Sequence, residues 1–339
     1  MRDLSPPAEG DGGAVAISPP DLPLLVRPAD AVSIGQHLAF VERMVAQGGP
    51  RPGEYAAFDR WLAYVASELR TGRIADGELR AVRAAFGPAL SLGTNQGLSL
   101  RKPHGYSGDF EIIDRMYREH VTDDPDLRNW DLYFHSQAGP RAVRNRKAYV
   151  VDLLGAFAQS GGARVLNVAS GPARDVAEFF GDAGGSATGV AVDCVDADAD
   201  AIAYARHVCA PYLDRVAFYH ANALRFTSAH RYGLIWSAGL FDYFGDRGFK
   251  FLLERLLEML AEGGELVVGN FCENATRDYM EVIGDWELHY RSEDELIELA
   301  MACGVAPEDI RIGREPQGIN LFLHIKRGPS FLPMTEEAS

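Results

Sequence analysis

Apolar residues recur at steps of three and four through Tyr55, Phe58, Leu62, Val65 and Leu69, with Trp61 widening the same face, and this spacing predicts an amphipathic helix. A second helix is expected over residues 78–86, ending at Gly87-Pro88, because proline lacks the N–H a helix needs and restricts the residue before it. Residues 91–108 are rich in Gly, Ser and polar side chains and keep neither period, so they read as a long loop of the kind that carries function. The helical period returns over 141–157, with Val150, Leu153, Leu154 and Phe157 on one face and Arg144, Arg146 and Lys147 ahead of them.

Past residue 163 the pattern changes to short apolar runs, each followed by a turn and a helix. Runs at 164–169, 189–195, 216–219, 234–237 and 265–271 read as strands, with helices expected at 175–180, 198–208 and 249–260. Gly263-Gly264 is the expected stop of the third of these helices, and Ser292 with Glu295 forms a capping box opening a further helix to Met301. Ile319, Leu321, Leu323 and Ile325 alternate with period two, as in an antiparallel or edge strand. Strands alternating with helices predict an α/β fold, a doubly wound sheet covered on both faces, with ligands beyond the carboxyl ends of the strands. The expected organisation is a disordered tail over 1–30, biased to Pro, Gly, Asp and Ala, a helical cap over 31–160, a sheet domain over 161–328 and a flexible tail over 329–339.

Composition narrows the partners. Of 339 residues 47% are hydrophobic and 24% charged, with 33 Lys+Arg against 48 Asp+Glu, a formal charge of −15. A globular chain this acidic is repelled by phosphate backbones and anionic lipid, so small molecules are the expected partners and nucleic acid is not. No apolar run is long enough for a membrane span, and residues 14–26 are interrupted by prolines and an aspartate, so no integral membrane association is expected. Four cysteines without a C-x-x-C pair fit reduced thiols and a cytoplasmic location. Nine histidines without H-x-x-x-H spacing give no metal site. Assembly as a homodimer stays open.

The candidate chemistry begins at residues 165–175 (VLNVASGPARD), where Gly171 ends the first strand and the next helix offers free N–H groups. The run is not G-x-G-x-x-G, since Pro172 and Ala173 replace the later positions, which argues against a dehydrogenase; nor is it a G-x-S-x-G hydrolase elbow. Asp196 closes the second strand, placed to accept ribose hydroxyls, and turns follow at residues 220–223 and 236–239. In the loop, Asp109 is either a helix cap or a site residue. Phe241 and Tyr243 are either core aromatics or, with Asp242, part of an acceptor pocket. Trp286, His289, Tyr290 and Arg291 line that pocket or decorate a surface turn.

A glycine-containing loop after strand one, an acid after strand two, a polar residue after strand three and a terminal antiparallel hairpin resemble the class I S-adenosylmethionine-dependent methyltransferases. Residues 102–110 (KPHGYSGDF), 234–243 (LIWSAGLFDY) and 285–291 (DWELHYR) together resemble the bacterial family of the 3-hydroxypalmitic acid methyl ester synthase. The resemblance covers most of residues 50–327. It implies a Rossmann-like seven-stranded sheet and S-adenosylmethionine as cofactor, with Ala169, Ser170 and Gly171 near the methionine part, Asp196 on the ribose, Asn222 and Ala223 at the adenine and Ser237 below the sulfonium. Asn167 stands where the family commonly has an acid and the glycine series is reduced to Gly171, so Arg146 or Arg144 is the expected partner of the methionine carboxylate. The implied reaction is methylation of a small or lipid-like acceptor, on a carboxylate or hydroxyl oxygen. Lys102, Arg146 or Arg291 would orient an acid, and Tyr106 or Tyr243 would fix one oxygen. For a protonated nucleophile, His104, Asp109 or His289 would serve as base. The alternative is a non-catalytic protein that binds a cofactor or partner on the same fold.

Overall fold

The computed structural model describes residues 32–182 and 189–328; the two expected tails lie outside them. Among the described residues seven α-helices come first: α1 (Ile34–Ala46), α2 (Tyr55–Arg70), α3 (Asp76–Ala85), α4 (Asn95–Arg101), α5 (Phe110–Tyr117), α6 (Arg128–Ser136) and α7 (Ala138–Gln159). The aromatic positions of the sequence become one cluster here. Phe58 meets Trp130 and Tyr133 edge-on at ring separations of 5.8 and 5.0 Å, and Phe86 meets Trp130 at 5.5 Å. Residues 91–108 depart from a pure loop, since α4 lies inside them with Thr94 accepting from the Gly97 N–H as its cap. α4 shows no amphipathic period because Asn95, Gln96, Gly97, Leu98 and Ser99 are all buried although three of them are polar. Asn95 donates to the His120 carbonyl, and Gln96 donates to the Ala89 carbonyl and accepts from the Tyr279 hydroxyl, so most of its polar groups are satisfied inside, the Asn95 Oδ1 being left without a partner among the described residues.

The sheet half follows as β1 (Arg164–Val168), α8 (Arg174–Asp182), β2 (Ala191–Asp196), α9 (Ala199–Val208), β3 (Val216–His220), β4 (Tyr232–Ser237), α10 (Asp246–Met259), β5 (Leu260–Phe271), α11 (Thr276–Val282), α12 (Glu293–Ala302), β6 (Ile310–Arg314) and β7 (Asn320–Lys326). Among the described residues the order is β3-β2-β1-β4-β5-β7-β6, with β1 to β5 parallel and β7 antiparallel to both neighbours. This is a doubly wound, Rossmann-like α/β sheet of seven strands. Alternate residues of each central strand enter opposite cores: Val165, Leu234 and Trp236 one layer, Leu166, Val168 and Ile235 the other. That is why these strands read as continuous apolar runs.

One expectation is corrected. Gly263-Gly264 does not stop α10, which ends at Met259; the pair belongs to the start of β5, where Gly263 donates to the Arg327 carbonyl and Arg327 back to Gly264. The period-two terminal strand is antiparallel, as one of the two expected alternatives has it, and β6 covers its outer side. The residues after β5 also return to the first half. Phe271, Tyr279, Val282, Ile283 and Trp286 complete the core built by α1 to α7.

Candidate active site

In this topology β1 has β2 on one side and β4 on the other, so the chain order reverses at its carboxyl end and a crevice opens there. The crevice is the mouth of a cavity of about 1040 Å³ that runs under the helical half. Single-ligand pockets span roughly 300–1,000 Å³, so this one has room for a nucleotide-sized ligand and a second molecule.

The β1 end is a tight turn. Ala169, Gly171 and Ala173 all have positive φ, at 54°, 50° and 48°, a conformation costly for alanine that persists only where the surroundings impose it. The Ser170 N–H donates to the Val195 carbonyl, and the Gly171 N–H donates to Asp196 Oδ2 at 2.8 Å. Asp196 Oδ1 accepts from the Asp198 N–H at 3.0 Å. The acid at the end of β2 thus holds the glycine loop to its own strand while lining the cavity. Burial holds its carboxyl above the usual range.

Arg146 comes from the middle of α7, on the wall facing the β1 and β4 ends. It is 6% exposed, its Nη1 reaches the Ala238 carbonyl at 3.4 Å, and its Nε has no partner among the described residues. A Cβ on Gly239 would lie 2.6 Å from Nη1, so glycine lets the turn after β4 approach this cation without displacing it. Two carboxyls share its field. Burial pushes Asp175 up to about 6 and Asp242 up to about 7, with Arg146 opposing both shifts. Tyr117 is pushed up to about 12 by burial, again against Arg146. Asp242 Oδ1 accepts from the Phe271 N–H at 2.7 Å, while its Oδ2 carries no hydrogen bond and lies beside Gly239.

The roof is the 102–108 turn. Tyr106 donates to Asp198 Oδ2 at 2.8 Å, and the Tyr243 hydroxyl donates to the Ser107 carbonyl and accepts from Trp286 Nε1. Gly108, at φ +70°, passes so close beneath that a Cβ there would lie 2.3 Å from the Tyr243 oxygen. Burial raises both tyrosines well above their ordinary value, so they are neutral donors at physiological pH. Beyond Arg146 the cavity continues into an apolar annex walled by Ile113, Met116, Phe134, Val143, Met280 and Ile283.

Most of the residues singled out in the sequence come together here. Tyr106, Tyr243, Arg146, Ala169, Ser170, Gly171, Asp196, Asn222 and Ala223 all line the cavity. Three do not. Asp109 is the N-cap of α5, accepting from the Ile112 N–H. Ser237 is fully buried behind Ala238 and Gly239, which form the wall, and its hydroxyl has no partner among the described residues. His289 faces a separate small hollow with Asp246 and Glu295, and only its backbone N–H reaches toward the site, donating to the Asp242 carbonyl. Of the arginine alternatives, Arg144 is occupied by Glu119 at 3.1 Å and leaves the cavity to Arg146. Arg291 is consumed by the Phe241 and Phe244 carbonyls, Asn270 and Asp246. Asp175 and Tyr117 were missed: one reads as an ordinary first-turn acid, the other as a helix-face aromatic, and only the long-range fold sets them beside Arg146. Among the described residues no group of His, Cys, Asp or Glu could hold a metal ion, and no helix is long and apolar enough to cross a membrane.

No family model matches the chain, and no curated protein does. Solved structures do. A possible exported protein from Bordetella parapertussis is 16% identical with a TM-score of 0.54, over 89% of this chain and 99% of that one. The magnesium protoporphyrin IX methyltransferase of Synechocystis PCC 6803 with bound SAH is 10% identical, TM-score 0.47, over 69% and 99%. A putative O-methyltransferase from Nostoc punctiforme PCC 73102 is 13% identical, TM-score 0.46, over 68% and 72%. The chain thus shares its α/β fold with solved proteins, at identities too low to carry an activity across.

Proposed function

We propose that the chain is an S-adenosylmethionine-dependent methyltransferase acting on a small or lipid-like acceptor, with the helical half serving as its cap. The observation that carries this reading is the company kept at the β1/β4 switch point: a clasped glycine loop, an acid at the end of β2, and a buried arginine with an unpartnered Nε, in one cavity. The donor set fits the cofactor. Arg146 offers a buried guanidinium edge for the methionine carboxylate, Asp196 a carboxylate for the ribose, and Asn222 and Ala223 the rim for the adenine. When bound, the cofactor supplies a methyl group already electrophilic on its sulfonium. The protein's own work is then to align the acceptor and keep water out. Tyr106, by bridging the roof to Asp198, and Tyr243, by bridging it to Trp286, close the cavity over the reacting centre. The apolar annex receives the body of the acceptor.

Calorimetry with S-adenosylhomocysteine tests the reading. Saturable binding that Asp196→Ala weakens is expected, and undiminished affinity in that variant rejects the ribose assignment. Transfer from labelled S-adenosylmethionine to a panel of hydroxy, fatty and aromatic compounds separates an enzyme from a binding protein: cofactor binding with no transfer to any acceptor favours the second.

A further inference from the structure

The cavity wall is strongly acidic. Asp175, Asp196, Asp198, Asp242 and Glu287 face it against the permanent cation Arg146, while Asp285 and Lys102, also on the wall, pair with each other and Asp285 with Arg83 as well. Lys102 is spent, since its Nζ donates to both the carbonyl and the carboxylate of Asp285. Arg146 is assigned to the cofactor carboxylate. His104 sits between Glu111 and Asp200 at 3.6 and 3.9 Å, turned away from the annex. An acidic wall suits a cofactor carrying a net positive charge and opposes a second anion. The annex reinforces this, because its polar groups satisfy one another: Tyr279 donates to Gln96, Ser99 to the Asn95 carbonyl, and Thr276 accepts from the Gly139 N–H. No Lys or Arg stands among these annex residues to hold a carboxylate.

Between annex and cofactor end Asp242 offers a carboxylate oxygen without a hydrogen bond. Asp242 is 2% exposed, held rigidly through Oδ1 by the Phe271 N–H, and its Oδ2 looks along the Gly239 turn with no donor of its own. We infer that the acceptor is a neutral, apolar molecule carrying a hydroxyl or uncharged amine, and that Asp242 is the catalytic residue that receives its proton. This rests on the methyltransferase reading and narrows its acceptor from a carboxylate or hydroxyl to a nucleophile that arrives protonated. The acceptor O–H or N–H bond breaks with its proton going to Asp242 Oδ2. The electron pair freed on the acceptor atom forms the bond to the methyl carbon, and the S–CH3 pair stays on sulfur. The proton is later lost to water. Arg146 faces Asp242 from α7 and keeps the carboxylate accessible despite its burial.

The test uses matched probes on the full chain saturated with S-adenosylhomocysteine at pH 8: 2-naphthol against 2-naphthoate, and 1-decanol against decanoate, by fluorescence or calorimetric titration. The neutral member of each pair is expected to bind about tenfold or more tightly. Asp242→Asn should improve carboxylate binding, leave the neutral probe and the S-adenosylhomocysteine affinity unchanged, and lower transfer to any neutral acceptor by about a hundredfold. Equal or tighter binding of the carboxylates, or no binding of either class, overturns the proposal, and the wild-type comparison decides this even if the variant does not fold. Full transfer in a folded Asp242→Asn variant overturns the proton role. Absence of S-adenosylhomocysteine binding is the distinct result that rejects the methyltransferase reading, and the proposal falls with it.

Discussion

Arg146 and Arg144 sit two positions apart on one helix, and the sequence offers no ground for choosing between them. The fold decides by giving Arg144 a carboxylate and Arg146 a cavity. Arg146→Ala should therefore weaken S-adenosylhomocysteine binding by about 1.5–3 kcal/mol, the usual worth of a hydrogen bond to a charged group. Arg144→Ala should leave the affinity unchanged; calorimetry on both variants checks the pair, and equal losses would remove the assignment. Asp242 and Asp175 make a second prediction. Their folded-state carboxyls titrate near 7 and 6, raised by burial, whereas unfolded aspartates titrate near 4. The folded state holds more protons than the unfolded one between about pH 4 and 7, so their contribution to stability is greatest in acid and is lost as pH rises through that window. Urea midpoints of Asp242→Asn, which cannot ionise, should gain on the wild type from pH 5 to pH 8; a constant difference would contradict the raised value. What was legible here was residue type and spacing: Gly171, Asp196 and the turns after β3 and β4. What was not legible was which neighbour the fold would set against each. Asp109 and Asp242 look equally polar in sequence, yet one is spent on a helix cap while the other keeps a free oxygen.

Elements were readable where period and burial agree. The amphipathic α2 and the apolar central strands declare themselves, because each buries one defined face or both. Failures fall where that link breaks: α4 is polar yet buried, and β6 is short and half-exposed, so neither has a period to read. The tie between cap and sheet is likewise invisible locally. Asp114 on α5 accepts from Arg174 Nε on α8 at 2.5 Å and from the Tyr204 hydroxyl on α9 at 2.7 Å. Removing a buried acid leaves its cation unpaired, and because Arg174 keeps some solvent contact the expected cost of Asp114→Ala is about 1–3 kcal/mol. Hydrogen exchange should quicken in α5 and the 102–108 turn while β1 and β4 keep their protection. Uniform loss of protection would show that the tie belongs to the global core instead.

At the scale of the molecule, the net charge of −15 and the acidic cavity wall point the same way, toward a cofactor with positive charge and an acceptor with none. Ligand binding across the crevice links the two halves. S-adenosylhomocysteine at a hundredfold excess over its dissociation constant should stabilise the chain by about 2.7 kcal/mol, read as a rise in the melting temperature of a few degrees.

The segment following β5 has a consequence for how the chain is made. The core of α1 to α7 is finished by Phe271, Tyr279, Val282, Ile283 and Trp286, which leave the ribosome more than a hundred residues after α7 is complete. A growing chain must carry an unfinished aromatic core through the synthesis of most of the sheet, a stretch in which exposed apolar surface invites aggregation. Residues 32–160 produced alone should accordingly bind a hydrophobic dye and unfold without a cooperative transition, and adding the chain through residue 328 should restore one. The helical half is first to be synthesised and among the last to close.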